Sequence, residues 1–119
     1  MFVAPSRFGA GIPTKVQQAA AFGVPVVGTS LVATQLGWTD GVDLLVADDA
    51  DAFAEQCCSL YTDPGKWQIL RDSAHARVTR ECSPVVFRST LQEALLDAQA
   101  SRSGARTIGV GPQTEFISR

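Results

Sequence analysis

At 119 residues, with 45% hydrophobic and 18% charged side chains, the chain fits one domain with one core, which excludes both a two-domain enzyme and a disordered polymer. Ten basic against twelve acidic residues leave a net charge of −2, so the basic footprint of a protein that works on nucleic acid is missing. The longest apolar stretches are short and broken by Gly, Pro or Asp, whereas a bilayer span takes about 20 residues.

Residues 1–4 form an apolar run ended by Pro5, the signature of a short buried strand. A polar, glycine-rich loop follows at residues 5–12. Pro13 and Thr14 then open a helix to Phe22, with Gly23 where the residue after a helix end belongs. Val24-Pro25-Val26-Val27 predicts a second strand, with Pro25 at its beginning, where a missing N–H does least harm. Ser30 reads as the cap of a short helix over residues 31–36, and Leu44-Leu45-Val46-Ala47 is a third strand.

Beyond Asp48 the apolar spacing changes to that of a helix, with Phe53, Cys57, Leu60 and Tyr61 on one face. Asp63-Pro64 places a capping carboxylate before a helix-starting proline, and Trp67, Leu70, Ala74 and Val78 recur along a longer helix to about Cys82. Ser83-Pro84 repeats the start signal for a last helix with Phe87, Leu91, Ala94, Leu95 and Ala98 in its stripe. Residues 1–99 therefore make the folded part and residues 100–119 a loosely ordered tail, in which Ile108, Val110, Phe116 and Ile117 could dock weakly.

Three unalternating strands separated by helices imply βαβ connections and an α/β fold, a partial Rossmann-like parallel sheet covered on both faces. So thin a sheet should pair one edge with a strand outside these residues, which makes the chain the latter half of a larger α/β domain. The cysteines, Cys57, Cys58 and Cys82, are odd in number and lack C-x-x-C spacing, so they read as free thiols of a reducing compartment. Residues 1–5 lack the basic start and long apolar core of a signal peptide, so a cytoplasmic location is expected.

Ligands of open α/β sheets bind outside the carboxyl ends of the strands, where Gly9-Ala10-Gly11 runs into a helix start. Unpaired N–H groups and the positive end of the helix dipole suit an anion there, a diphosphate above all, and Lys15 in the first turn adds a cation. The alternative is that Gly9 and Gly11 only close a tight turn while Lys15 is solvated. Arg7 is either a second phosphate contact or a surface cation. His75, the single histidine, lies far along the chain from the loop and reads as solvated or packed on its helix. Asp40, Asp43, Asp48 and Asp49 lack the alternation of a calcium loop, so turn and cap roles are expected, with no metal and no cofactor.

The pattern P-x-R-x-G-A-G-I-x-x-K-V-x-x-A-x-A-x-G-x-P-V-V-x-T at residues 5–29 resembles the donor-binding core of group 1, or family 4, glycosyltransferases of the GT-B fold. The likeness continues through Thr39-Asp40-Gly41-Val42-Asp43-Leu44-Leu45-Val46-Ala47-Asp48-Asp49 and covers residues 2–96. It implies two Rossmann-like domains, an acceptor domain and a donor domain, of which these residues are the second part of the latter. It further implies that the backbone of Gly9, Ala10, Gly11 and Ile12 holds the diphosphate of a nucleotide-diphosphate-sugar donor, with Lys15 and Arg7 adding charge. Many relatives carry two glutamates at positions that here hold Ala10 and Gln18. The Gln18 amide keeps a carbonyl oxygen for ribose hydroxyls but lacks the charge, and Ala10 offers the sugar no side-chain contact. The expected function is sugar transfer, with retention, by a donor-binding part that is inactive without its acceptor domain or partner chain; bacterial cell-surface polysaccharide or glycoprotein synthesis is the setting the likeness suggests. The competing expectation is a non-catalytic docking module that keeps the fold. A sugar-nucleotide epimerase would need catalytic carboxylates or histidines that the sequence does not place.

Overall fold

The computed structural model describes residues 1–104; the expected docking of Ile108, Val110, Phe116 and Ile117 lies outside them. The chain divides into two compact units, Met1–Ser83 and a second that starts at Pro84.

The first unit runs β1 (Phe2–Ala4), α1 (Thr14–Ala21), β2 (Val26–Gly28), α2 (Ser30–Leu36), β3 (Leu45–Val46), α3 (Ala50–Thr62) and α4 (Pro64–Glu81). The strands pair in parallel in the order β1-β2-β3, in the register Phe2 to Val26 and Val27 to Leu45. An isolated bridge from Asp40 to Leu44 prolongs the third strand at its start. Parallel pairing puts the ends of all three strands at one edge of the sheet, with the loop of residues 5–13 above β1.

Alternate residues of each strand enter opposite layers, because successive side chains on a pleated strand point to opposite faces. Val26 and Leu44 pack with Val16 and Ala20 of α1, Val32 of α2, Trp38, and Ala74 and Val78 of α4. On the other face Val27 and Leu45 pack with Leu60 of α3 and Leu70 of α4, with Phe53, Cys57 and Trp67 half-buried around them. α4 thus serves both layers, Leu70 in one and Ala74 and Val78 in the other. Each fully buried Val or Leu contributes about 1.5–3 kcal/mol relative to exposure, which is how six of them, among seven large fully buried side chains, can hold a three-stranded sheet. The seventh is Pro25, which the sequence places at the beginning of the second strand and which lies immediately before β2.

Glycine ends two helices in the left-handed region. Gly23, at φ 71°, donates to the Ala20 carbonyl and Val24 to that of Ala19; Gly37, at φ 64°, donates to Thr34 and Trp38 to Ala33. In both places the chain reverses into a strand or a buried Trp only because a residue without Cβ adopts that backbone at little cost.

One expected cap is corrected. α2 begins at Ser30 itself, and its capping position is Thr29, whose hydroxyl points elsewhere. The Ser30 N–H and hydroxyl both donate to Asp48 Oδ1, each at 2.9 Å. The sequence places a good capping residue beside the helix, but a carboxylate from the next βα turn reaches the site first.

The second unit contributes α5 (Pro84–Gly104) to the described residues. Its helix continues five residues past the point where the apolar stripe fades, since Ala100 and Arg102 favour helix and no breaker precedes Gly104. Phe87, Leu91 and Leu95 are exposed on one face.

Candidate functional site

The loop of residues 5–13 is fastened at two points. Thr29 Oγ1, on a residue only 6% exposed, donates to the Ser6 carbonyl at 2.6 Å, and Gln35 Nε2 of α2 donates to the Gly9 carbonyl at 2.9 Å. Between and beyond these anchors Gly9 (φ 144°) and Gly11 (φ 103°) adopt backbone that other residues rarely reach. A Cβ at either would meet nothing within 4 Å, so the fold requires glycine for conformation rather than for close packing.

The N–H groups of Gly9, Ala10, Gly11 and Ile12 donate to no acceptor among the described residues, while that of Thr14 is taken by the Ile12 carbonyl at 2.9 Å. All four residues are exposed. Directly after them α1 starts at Thr14 with no side-chain cap and no acidic residue in its first turn. The other helix starts in this unit are closed by the chain's own carboxylates: α2 by Asp48, α3 by Asp49 accepting from the Ala52 N–H at 2.8 Å, and α4 by Asp63 accepting from the Lys66 N–H at 2.9 Å. Among these four starts only α1 lacks a side-chain cap; its Thr14 and Val16 N–H groups donate to the Ile12 and Pro13 carbonyls, which leaves the Lys15 amide free in the first turn, and the Lys15 ammonium has no carboxylate partner among the described residues.

The residues expected to bind substrate separate into two neighbourhoods. Arg7 lines a cleft of about 320 Å³ at the strand ends with Pro5, Thr29, Ala47, Asp48, Asp49, Ala50, Phe53 and Ala54. Ile12 and Lys15 line a depression of about 380 Å³ along β1, with Phe2, Val3, Ala4 and Pro13. Gly9, Ala10 and Gly11 form the exposed rim of the loop, and Gln18 lies exposed one turn further along α1. His75 is exposed on α4, away from these groups in sequence and element.

The aspartates take the turn and cap roles expected. Asp40 Oδ1 accepts from the Val46 N–H, Asp48 and Asp49 close helices, and buried Asp43 accepts from the Thr39 N–H and pairs with Arg77. No cluster of His, Cys, Asp or Glu suited to a metal ion occurs among the described residues. No described helix is long and apolar enough to cross a membrane.

Sequence reasoning missed Thr29 and Gln35, which hold the loop, and Phe53, which walls the cleft as well as joining the core. Thr29 had a findable signal, a hydroxyl immediately after a buried strand. Gln35 had none, because its partner lies 26 residues away.

A family model described as "Glycosyl transferases group 1" matches residues 1–63, more than half of the chain and every residue of the loop and of the cleft. No curated protein and no solved structure matches the chain.

Proposed function

The chain belongs to the group 1 glycosyltransferases, and from that premise we propose that Met1–Ser83 binds the diphosphate of a nucleotide-sugar donor for a retaining sugar transfer. The observation that carries this reading is the run of four exposed, unpaired amides ahead of α1, which alone among the four helix starts of residues 1–83 has no carboxylate at its N-terminus. Such donors favour negative charge at a helix N-terminus without a metal ion. In transfer, the bond from the anomeric carbon to the diphosphate oxygen breaks and one to an acceptor hydroxyl forms, with the hydroxyl proton lost to the departing phosphate or to solvent. Charge grows on the leaving diphosphate, and fixed amide donors stabilise it more than they stabilise the ground state. Lys15 adds positive charge from the first turn of α1 and Arg7 from within the loop, two residues before Gly9, and the Gln18 amide oxygen accepts from the ribose. The acceptor comes from a further domain or partner chain, and residues 1–83 alone are inactive.

The test is a titration of 15N-labelled chain with UDP and with GDP up to about 10 mM, a range that detects Kd near 1 mM, or about 4 kcal/mol. The expected result is saturable movement of the Gly9, Ala10, Gly11, Ile12 and Lys15 amides with one of the two nucleotides, weakened several-fold in Gly11→Ala. No response to either removes the donor-binding reading.

A second reading, the non-catalytic docking module, is favoured by one observation, the exposed Phe87, Leu91 and Leu95 along α5. It predicts silence in the same titration.

A further inference from the structure

The cleft beside the loop is distinct in chemistry from the loop itself. Its lining is mostly apolar, with Pro5, Ala47, Ala54 and half-buried Phe53, and Arg7, Asp48 and Asp49 are its charged members. Asp48 spends only Oδ1 on Ser30, and Asp49 only Oδ1 on Ala52; neither Oδ2 accepts a hydrogen bond among the described residues. Two carboxylates against one guanidinium leave the cleft with excess negative charge that disfavours a diphosphate inside it, and the two helix starts beside it, α2 and α3, are already closed by Asp48 and Asp49.

What this surface suits is a ring with hydroxyl donors on its edge and C–H groups on its face. Free carboxylate oxygens and a guanidinium offer acceptors and donors, and the apolar lining takes the face. The cleft, about 320 Å³, is large enough for one ring, and a second depression of about 380 Å³ that shares Arg7, Thr29, Asp48, Asp49 and Ala50 adjoins it on the Ser6 and Ser30 side. Arg7 precedes Gly9 by two residues, so at most about 7 Å of chain separates the cleft wall from the first free amide. A monosaccharide attached to a phosphate spans that interval.

Resting on the donor-binding reading above, we propose that the cleft between Arg7 and the corner formed by Asp48, Asp49 and Phe53 seats the donor's sugar, and that this sugar is an uncharged, hydroxyl-rich ring rather than a uronate. The carboxylate of a uronic acid would meet two like charges there, and the site discriminates against it about tenfold.

The probes are UDP, UDP-glucose and UDP-glucuronate, or GDP, GDP-mannose and GDP-mannuronate if the chain takes guanine, titrated into the full 15N-labelled chain. The neutral nucleotide sugar is expected to move the amides of residues 47–54, which the plain diphosphate leaves in place, and to bind about tenfold tighter than the uronate. In Asp49→Asn, which preserves the helix cap because Asn caps as well as Asp, that preference is expected to fall at least threefold. Binding of the plain diphosphate at residues 9–12, with no added response at residues 47–54 to either sugar, overturns this inference and leaves the donor-binding reading intact. So does equal affinity for the two sugars. Silence toward every nucleotide overturns both.

Discussion

Replacing Arg77 by Met tests the brace that holds the β3 side of the cleft. Asp43 is 3% exposed, and its carboxylate accepts from Arg77 Nη1 at 2.6 Å, the Thr39 N–H at 2.9 Å and Ser73 Oγ at 3.3 Å. Arg77 also donates to the Gly37 carbonyl at 2.6 Å and to Glu81 at 3.0 Å, so one side chain ties α4 to the end of α2 and to the turn before β3. Burial works against the guanidinium charge, but the hydrogen bond and charge of Asp43, then Glu81, outweigh it and hold the Arg77 pKa above its ordinary value. A base whose folded pKa is raised stabilises the fold below its unfolded pKa, so this contribution is fully present at pH 7.

Removing one partner of a buried pair costs about 3–5 kcal/mol, because the other charge is stranded. Here the Arg77 side chain is 23% exposed, so water reaches the site and offsets part of that. Met refills the space of the aliphatic stem, and two neutral donors stay on Asp43. The expected loss is therefore about 2–3 kcal/mol, a large share of the 5–15 kcal/mol typical of a domain. Asp43→Asn keeps the shape and the Thr39 N–H bond on its amide oxygen, with the Ser73 hydroxyl turning to accept from the new NH2, and should cost about 1–2 kcal/mol. The double variant should fall short of the sum by about 1 kcal/mol or more, since the pair can be lost only once. Urea unfolding at pH 7, followed by the fluorescence of buried Trp38, gives these values from midpoints at constant slope. A loss below about 1 kcal/mol for Arg77→Met, or additivity within about 0.5 kcal/mol, refutes the brace.

Thr29→Val removes the hydroxyl that ties Ser6 to the sheet while keeping the side chain's shape; a stability loss of about 1–2 kcal/mol and faster amide hydrogen exchange across residues 6–12 are expected, with Thr29→Ser restoring slow exchange. Cys57 is half-buried, and burial, reinforced by neighbouring Cys58, pushes its thiol pKa up. Thiolate is the reactive form, so iodoacetamide at pH 8 should label exposed Cys58 and Cys82 before Cys57, as read by peptide mass spectrometry; Cys57 reacting first would contradict the burial.

Two of the helix starts and the glycine end of α1 were legible because their signals are local. Asp63 before Pro64, Asp49 before α3 and Gly23 after α1 each satisfy a backbone group within a few residues of themselves. The glycines at positions 9 and 11 were legible as well, and the structure adds a conformational reason for them. No side chain or backbone of the described residues crowds them, and their positive φ by itself favours glycine.

Thus the order of strands and helices, the parallel sheet with two covered faces, and the position of the glycine loop at a strand end were all determined by the sequence, since continuous β-branched runs and capping residues act over a turn or less. Only the tertiary structure decided what that loop faces. Thr29 and Gln35 reach it from elements 23 and 26 residues away, Asp48 takes the helix start that Ser30 was expected to cap, and Arg77 finds Asp43 across 34 residues. These partners are chosen by how packed elements meet in space, and nothing in the spacing of residues along a chain records that distance.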